Sequence, residues 1–172
     1  VHFWIGAQEY TGVPNNPMRG QLDEVRVYNR ALSAAEIQAQ YKAGQSDEVN
    51  TGASQAQGTG RLDSGLSGYW KLDEGSGTTA TDASTNGNTG TLTSGPTWST
   101  GQIGGAVDFD GTNDYITAPD SAALDAGTTV TYSAWIKPSS IGADSVVFRK
   151  TEAGYEDKQF IVLSTGKAQF YV

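Results

Sequence analysis

The 172-residue chain is predicted to fold as an all-β protein with one short helix, and three observations predict it. Its 22 glycines, a charged fraction of only 17% and abundant Thr and Ser suit short strands joined by tight turns better than helices. Short apolar runs recur between Gly, Asn and Asp residues, the pattern of a sandwich or a barrel. Only the segment opening at Ser33 carries a helix start signal.

Taken in order, the first segment (1–44) opens with an apolar strand at 2–5, followed by a loop rich in Pro, Asn and Gly around 13–17. A second strand follows at 21–28. Strict alternation there puts Asp23, Val25 and Val27 on one face and Leu22, Glu24, Arg26 and Tyr28 on the other, so an Asp on the β-branched face needs a partner. Ser33-Ala34-Ala35-Glu36 is a capping box, Leu32 and Ile37 have the spacing of a hydrophobic staple, Tyr41 lies one turn beyond Ile37, and Gly44 can end the helix. Residues 45–65 are polar and lack apolar periodicity, which reads as a linker. Beyond it, strands are expected at 68–72, 105–109, 115–118, 129–137, 145–149, 159–163 and 167–171, with Pro119 and Pro138 closing two of them where a missing N–H breaks no ladder.

Four blocks in the second part, GYWKLDEGSG (68–77), DASTNGN (82–88), GGAVDFDGTNDY (104–115) and SAWIKP (133–138), stand in the order in which laminin-G-like domains begin. The segment 65–138 resembles the opening of these concanavalin A-like jelly-roll domains of bacterial extracellular proteins. GQLDEVRVYNRALSAAEI (20–37) resembles the sequence with which such domains end, yet here it comes first. The implied division is the closing strands and helix of one domain at 1–44, a linker at 45–65 and the first part of a domain at 66–172. The chain is then a piece of a tandem array, or a permuted subunit completed by neighbours. The resemblance implies a jelly-roll β-sandwich and a secreted or cell-surface, non-catalytic module binding a glycan or an extracellular matrix or surface protein. Its alternative is a structural subunit that pairs head-to-tail with identical neighbouring subunits into filaments, since unpaired strand edges invite such pairing. The start at Val1, without a basic leader, suggests an export signal further upstream.

The net charge of −8 argues against nucleic acid and anionic membrane surfaces, and no apolar run has the length needed to insert into a membrane. With no cysteine, disulfides, thiolate nucleophiles and zinc–thiolate sites are excluded together. Hydrolysis of glycosides needs two carboxylates across a cleft. Asp108 and Asp110 share a strand face, but the dense Glu-x-Asp-x-x-Glu cluster of glucanases with this fold is missing, and no catalytic residue is assigned. The lone His2 offers too little for a triad or a histidine metal cluster. Calcium is the stronger chemistry, since it takes carboxylate, amide and backbone oxygens in Gly-rich loops. The candidate ligands are Asp82, Asn86 and Asn88, then Asp110 and Asp114, with Asp23 able to close such a site; the alternative is that these residues cap turns. Of the aromatics, Trp70 alternates with Leu72 as an inward pair, and most others read as core. Trp98 and Tyr155 lie among polar turn residues and are the candidates for stacking on a ligand.

Overall fold

A computed structural model of the chain describes residues 2–10, 13–45, 62–125, 127, 129–140, 143–150 and 158–171. The expected linker at 45–65 lies largely outside them, as does Tyr155. The first segment forms β1 (His2–Ile5), β2 (Gln8–Tyr10), β3 (Val13–Asn15), β4 (Arg19–Tyr28) and α1 (Ala34–Ala43). The second forms β5 (Leu66–Trp70), β6 (Thr79–Ala80), β7 (Gly90–Thr93), β8 (Thr97–Thr100), β9 (Gly105–Asp110), β10 (Tyr115–Pro119), β11 (Thr131–Pro138), β12 (Ser145–Lys150), β13 (Lys158–Val162) and β14 (Ala168–Tyr171).

These strands build two antiparallel sheets. A seven-stranded sheet has the order β14-β13-β12-β1-β10-β7-β6, and a five-stranded one has β11-β4-β9-β8 with β5 beside β4. β1 is inserted between β10 and β12, with Phe3 opposite both Ala118 and Lys150. β4 is flanked by β11 on one edge and by β9 and β5 on the other. The first segment therefore supplies an interior strand to each sheet of its own chain, and no strand from a neighbour is needed for these pairings.

Alternation along the strands directs apolar residues between the sheets. Phe3 and Ile5 from β1, Ile116 and Ala118 from β10 and Phe148 from β12 meet Leu22, Val25 and Val27 from β4, Trp70 from β5 and Val107 and Phe109 from β9. At the centre Phe3 stacks on Trp70 with ring centroids 5.4 Å apart, and the Trp70 indole N–H donates to the Asn88 carbonyl. Trp70 and Leu72 are both fully buried, as their alternation predicts.

Three expectations are corrected. The loop around 13–17 contains β3, which pairs with β2 in a small hairpin of its own, Glu9 opposite Pro14. β6, β7 and β8 were not expected as strands. Their sequences (TA, GTLT and TWST) carry little apolar alternation, and cross-strand pairing decides their conformation. The faces of β4 are also redistributed. Arg26 stands opposite Ser133 and Asp23 opposite Trp135, so Glu24 and Val25 together face Ala134 in a β-bulge, with Glu24 at φ 56°. The extra residue lets Leu22, Val25 and Val27 all enter the core, while Asp23 lines a hollow with Trp135 on the other side of the sheet.

α1 begins as expected. The Ser33 side chain accepts from the Glu36 N–H, and Glu36 accepts from the Ser33 N–H at 2.8 Å and from Arg30 at 2.6 Å. Gly44 ends the helix, but with φ −82°, so its value is not left-handed freedom. A Cβ there would lie 2.2 Å from the Trp135 ring, and glycine is required for space. Among the described residues no helix is long and apolar enough to cross a membrane.

Candidate functional site

The residues singled out as calcium ligands fall into three hydrogen-bonded settings. Asp82 Oδ1 accepts from the Tyr69 and Ser84 N–H groups, and Oδ2 accepts from Ser84 Oγ–H and the Asn88 N–H. Asn86 and Asn88 donate to the Ser67 carbonyl, and Asn88 Oδ1 accepts from Ser121. This knot fixes the 82–88 turn against β5, and its carboxylate is already committed to protein donors. In the β9–β10 turn Asp110 accepts from the Thr112 N–H and Asp114 from the Asp110 N–H. Burial, and then the nearby charges of Asp110 and Asp108, raise the Asp114 carboxyl above its ordinary value. Asp23 lies on β4 and accepts from the Ile103 N–H at 2.8 Å. No group of three or more His, Asp or Glu side chains placed to hold a metal ion occurs among the described residues.

Trp98 is half-buried. It packs against the core, and its indole N–H donates to the Gly77 carbonyl, so it covers the sandwich rather than standing free.

The side chains that form a concave surface instead lie on the outer face of the five-stranded sheet. α1 crosses this face, held by Gln40, whose amide donates to the Tyr28 hydroxyl and accepts from Ser133 Oγ–H at 2.9 Å. Trp135 on β11 stands against the helix end, stacked on Tyr41 with centroids 5.7 Å apart. The Gln102 amide, in the turn before β9, reaches over to donate to the Gly44 carbonyl.

Trp135 thereby divides two hollows. One, of about 130 Å³, lies towards the 100–103 turn and is lined by Gln21, Asp23, Thr100, Gln102, Trp135 and Lys137. The other, of about 180 Å³, lies under α1 and is lined by Glu24, Arg26, Ile37, Gln40, Tyr41 and Trp135.

The two hollows differ in what their polar groups have left to offer. Asp23 is 2% exposed and its Oδ1 has no hydrogen-bond partner among the described residues. Burial is the main cause that pushes its carboxyl up to about 7, opposed by the Ile103 amide and reinforced by the charge of Glu24. Gly101 passes so close that a Cβ would sit 2.7 Å from Asp23 Oδ2, which keeps the carboxylate against the turn. In the second hollow Glu24 is paired with Arg26 and accepts from the Tyr69 hydroxyl at 2.7 Å, and the Arg26 guanidinium lies 4.1 Å from the Tyr69 ring centroid. Ser133 and Gln40 are bonded to each other, and what remains open is apolar: Ile37 is 54% and Tyr41 56% exposed.

None of Trp135, Tyr41, Gln21, Gln102 or Lys137 was singled out from sequence as a ligand contact. Trp135 reads as core in an apolar strand, and the helix and turn that make it a groove wall are distant in sequence.

No curated protein and no solved structure matches the chain. The family model of the concanavalin A-like lectin/glucanase superfamily matches residues 1–38, the stretch that supplies β1, β4 and the start of α1. The matched stretch supplies the interior strands β1 and β4 of an antiparallel two-sheet sandwich that carries one short helix among the described residues, so the chain is an all-β sandwich whose first 38 residues are similar to the concanavalin A-like lectin/glucanase superfamily.

Proposed function

We propose that the chain is a non-catalytic carbohydrate-binding module of a secreted or cell-surface protein, with its ligand in the groove beside Trp135. One observation carries this reading. A half-buried indole shares a hollow with a buried carboxylate oxygen that lacks a partner among the described residues and with the neutral polar side chains of Gln21, Thr100 and Gln102. A sugar offers hydroxyl donors for such a carboxylate and C–H faces for such a ring. Catalysis is the weaker reading for the same place. Its acids, Asp23 and Glu24, are neighbours on one strand instead of facing each other across a cleft, and Glu24 is tied to Arg26 and Tyr69.

The test is calorimetric titration with a panel of soluble oligosaccharides, with and without millimolar calcium, on wild type, Trp135→Ala and Asp23→Asn. Binding by wild type that either substitution weakens tenfold or more supports the reading. Binding unchanged by both, or reducing sugar released from a polysaccharide, sinks it. Calcium is proposed as a cofactor of the 110–114 turn, where Asp110 is exposed and Asp114 is held above its ordinary value. A melting temperature unmoved by calcium removes that part.

A specific observation also favours assembly with identical neighbours. Among the described residues β11 and β14 are unpaired edges on one side of the sandwich, where Tyr132 packs on Phe170, and Phe170 and Tyr171 on β14 are 41% and 46% exposed. Light scattering across a concentration series separates the two readings: a constant monomer mass leaves the groove as the site of function, and growing assemblies move it to the edges.

A further inference from the structure

We propose that the two hollows flanking Trp135 form one bipartite site, which selects sugars bearing a methyl-terminated substituent over plain hexoses. The inference rests on the carbohydrate reading above and specifies the class of glycan.

The two hollows differ in which of their polar groups are already engaged. In the hollow under α1, Arg26 donates to Glu24 and to the Tyr69 hydroxyl, Ser133 donates to Gln40, and Gln40 donates to Tyr28. The recorded polar groups there are thus engaged within the protein and the rest of the lining is mostly apolar, so a ligand hydroxyl placed there gains little. The surface left without a partner is the exposed Ile37, one turn away from the exposed Tyr41, facing the shared Trp135. Across Trp135 the balance is opposite. Asp23 Oδ1 lacks a donor, and Gln21, Thr100 and Gln102 supply neutral polar groups.

A ligand that satisfies both sides must therefore present hydroxyl donors at one end and an apolar group at the other, within the span of one indole. Plain hexose chains present hydroxyls at both. An acetamido group or a 6-deoxy carbon supplies the missing methyl. The hollow under α1 and the Asp23 hollow lie on either side of one ring, since Trp135 lines both, so a ligand that crosses the edge of that ring reaches the apolar part from the polar one. Ile37 and Tyr41 are then specificity-determining residues, and Gly44 is a positioning residue, since any side chain there would displace the ring both hollows share.

The experiment compares, on the full chain, the dissociation constants of three oligosaccharides of equal length: an N-acetylhexosamine oligomer, a 6-deoxyhexose-containing oligomer and a plain hexose oligomer. At least one methyl-bearing probe is expected to bind roughly fourfold or more tighter than the plain one, the factor for burying one methyl-sized group. Which of the two does so tells an acetamido from a 6-deoxy source. Ile37→Ser, at an exposed helix position, should bring the probes towards equal affinity while leaving the melting temperature nearly unchanged; Tyr41→Ser should do the same to the affinities with a lower melting temperature, since it also removes the stack on Trp135. Asp23→Asn should weaken all three alike. Equal affinities in wild type, or discrimination that survives both helix substitutions, overturns the bipartite site and leaves carbohydrate binding standing. If no probe binds at millimolar concentration, both readings fall.

Discussion

At Asp23 the folded chain holds a proton more tightly than the unfolded chain does, because burial opposes ionisation and raises the carboxyl from its ordinary value to about 7. A raised acid destabilises the fold increasingly as pH climbs from its unfolded value to its folded one, and the cost stays constant above that. Asp23→Asn keeps an oxygen for the Ile103 N–H and removes the charge. The variant should melt higher than wild type at pH 8, with the gain shrinking towards pH 4, as read by thermal denaturation over that range. A gain independent of pH would mean that desolvation of Asp23 is not its cause. Lys150 poses the reverse problem. Its side chain is fully buried, and its ammonium lies 2.6 Å from Asp120 and 2.9 Å from Asp125. Burial alone would lower the Lys150 pKa; the two carboxylates outweigh it and hold the amine above its ordinary value. Replacing both carboxylates (Asp120→Asn with Asp125→Asn) strands a buried charge and should cost about 3 kcal/mol, more than Lys150→Met, which removes it. Chemical denaturation of the two variants decides, and the opposite order would show that the ammonium is solvated in the folded chain.

At the scale of elements, α1 shows what local chemistry can and cannot reveal. Its start is written in Ser33 and Glu36, and Ser33→Ala should cost about 1 kcal/mol, measured as a shift of the denaturation midpoint at unchanged slope. The polar ends of its side chains are legible only against their partners, since Gln40 reaches Ser133, 93 residues away. Most strands were readable for the same local reasons: short apolar runs, with Pro119 and Pro138 ending β10 and β11. β4 was not fully readable. Its bulge puts a non-glycine residue, Glu24, at φ 56°, and nothing in LDEV marks the extra residue that turns Asp23 from the core to the groove. The candidate site suffered from the same limit. Trp135 sits in a run that reads as core, and its place as a groove wall follows from the helix end and the 100–103 turn arriving from elsewhere in the chain.

At the scale of the molecule, the pairings that hold the sandwich join distant parts of the chain. β1 is bound to β10 and β12, and β4 to β5, β9 and β11, so the residues of the first segment meet partners that lie far downstream. Such topologies close large loops before their contacts stabilise anything, which puts folding in the slow, millisecond-to-second regime of all-β domains. The interior placement of β1 and β4 also changes what a break in the chain would mean. A cut anywhere between 46 and 61 severs one covalent link and none of the backbone ladders among the described residues, which clasp the two fragments through both sheets. The protein is in that sense a ready-made split pair. Its halves should co-purify after nicking, part only under denaturant, and re-form an intact sandwich when remixed.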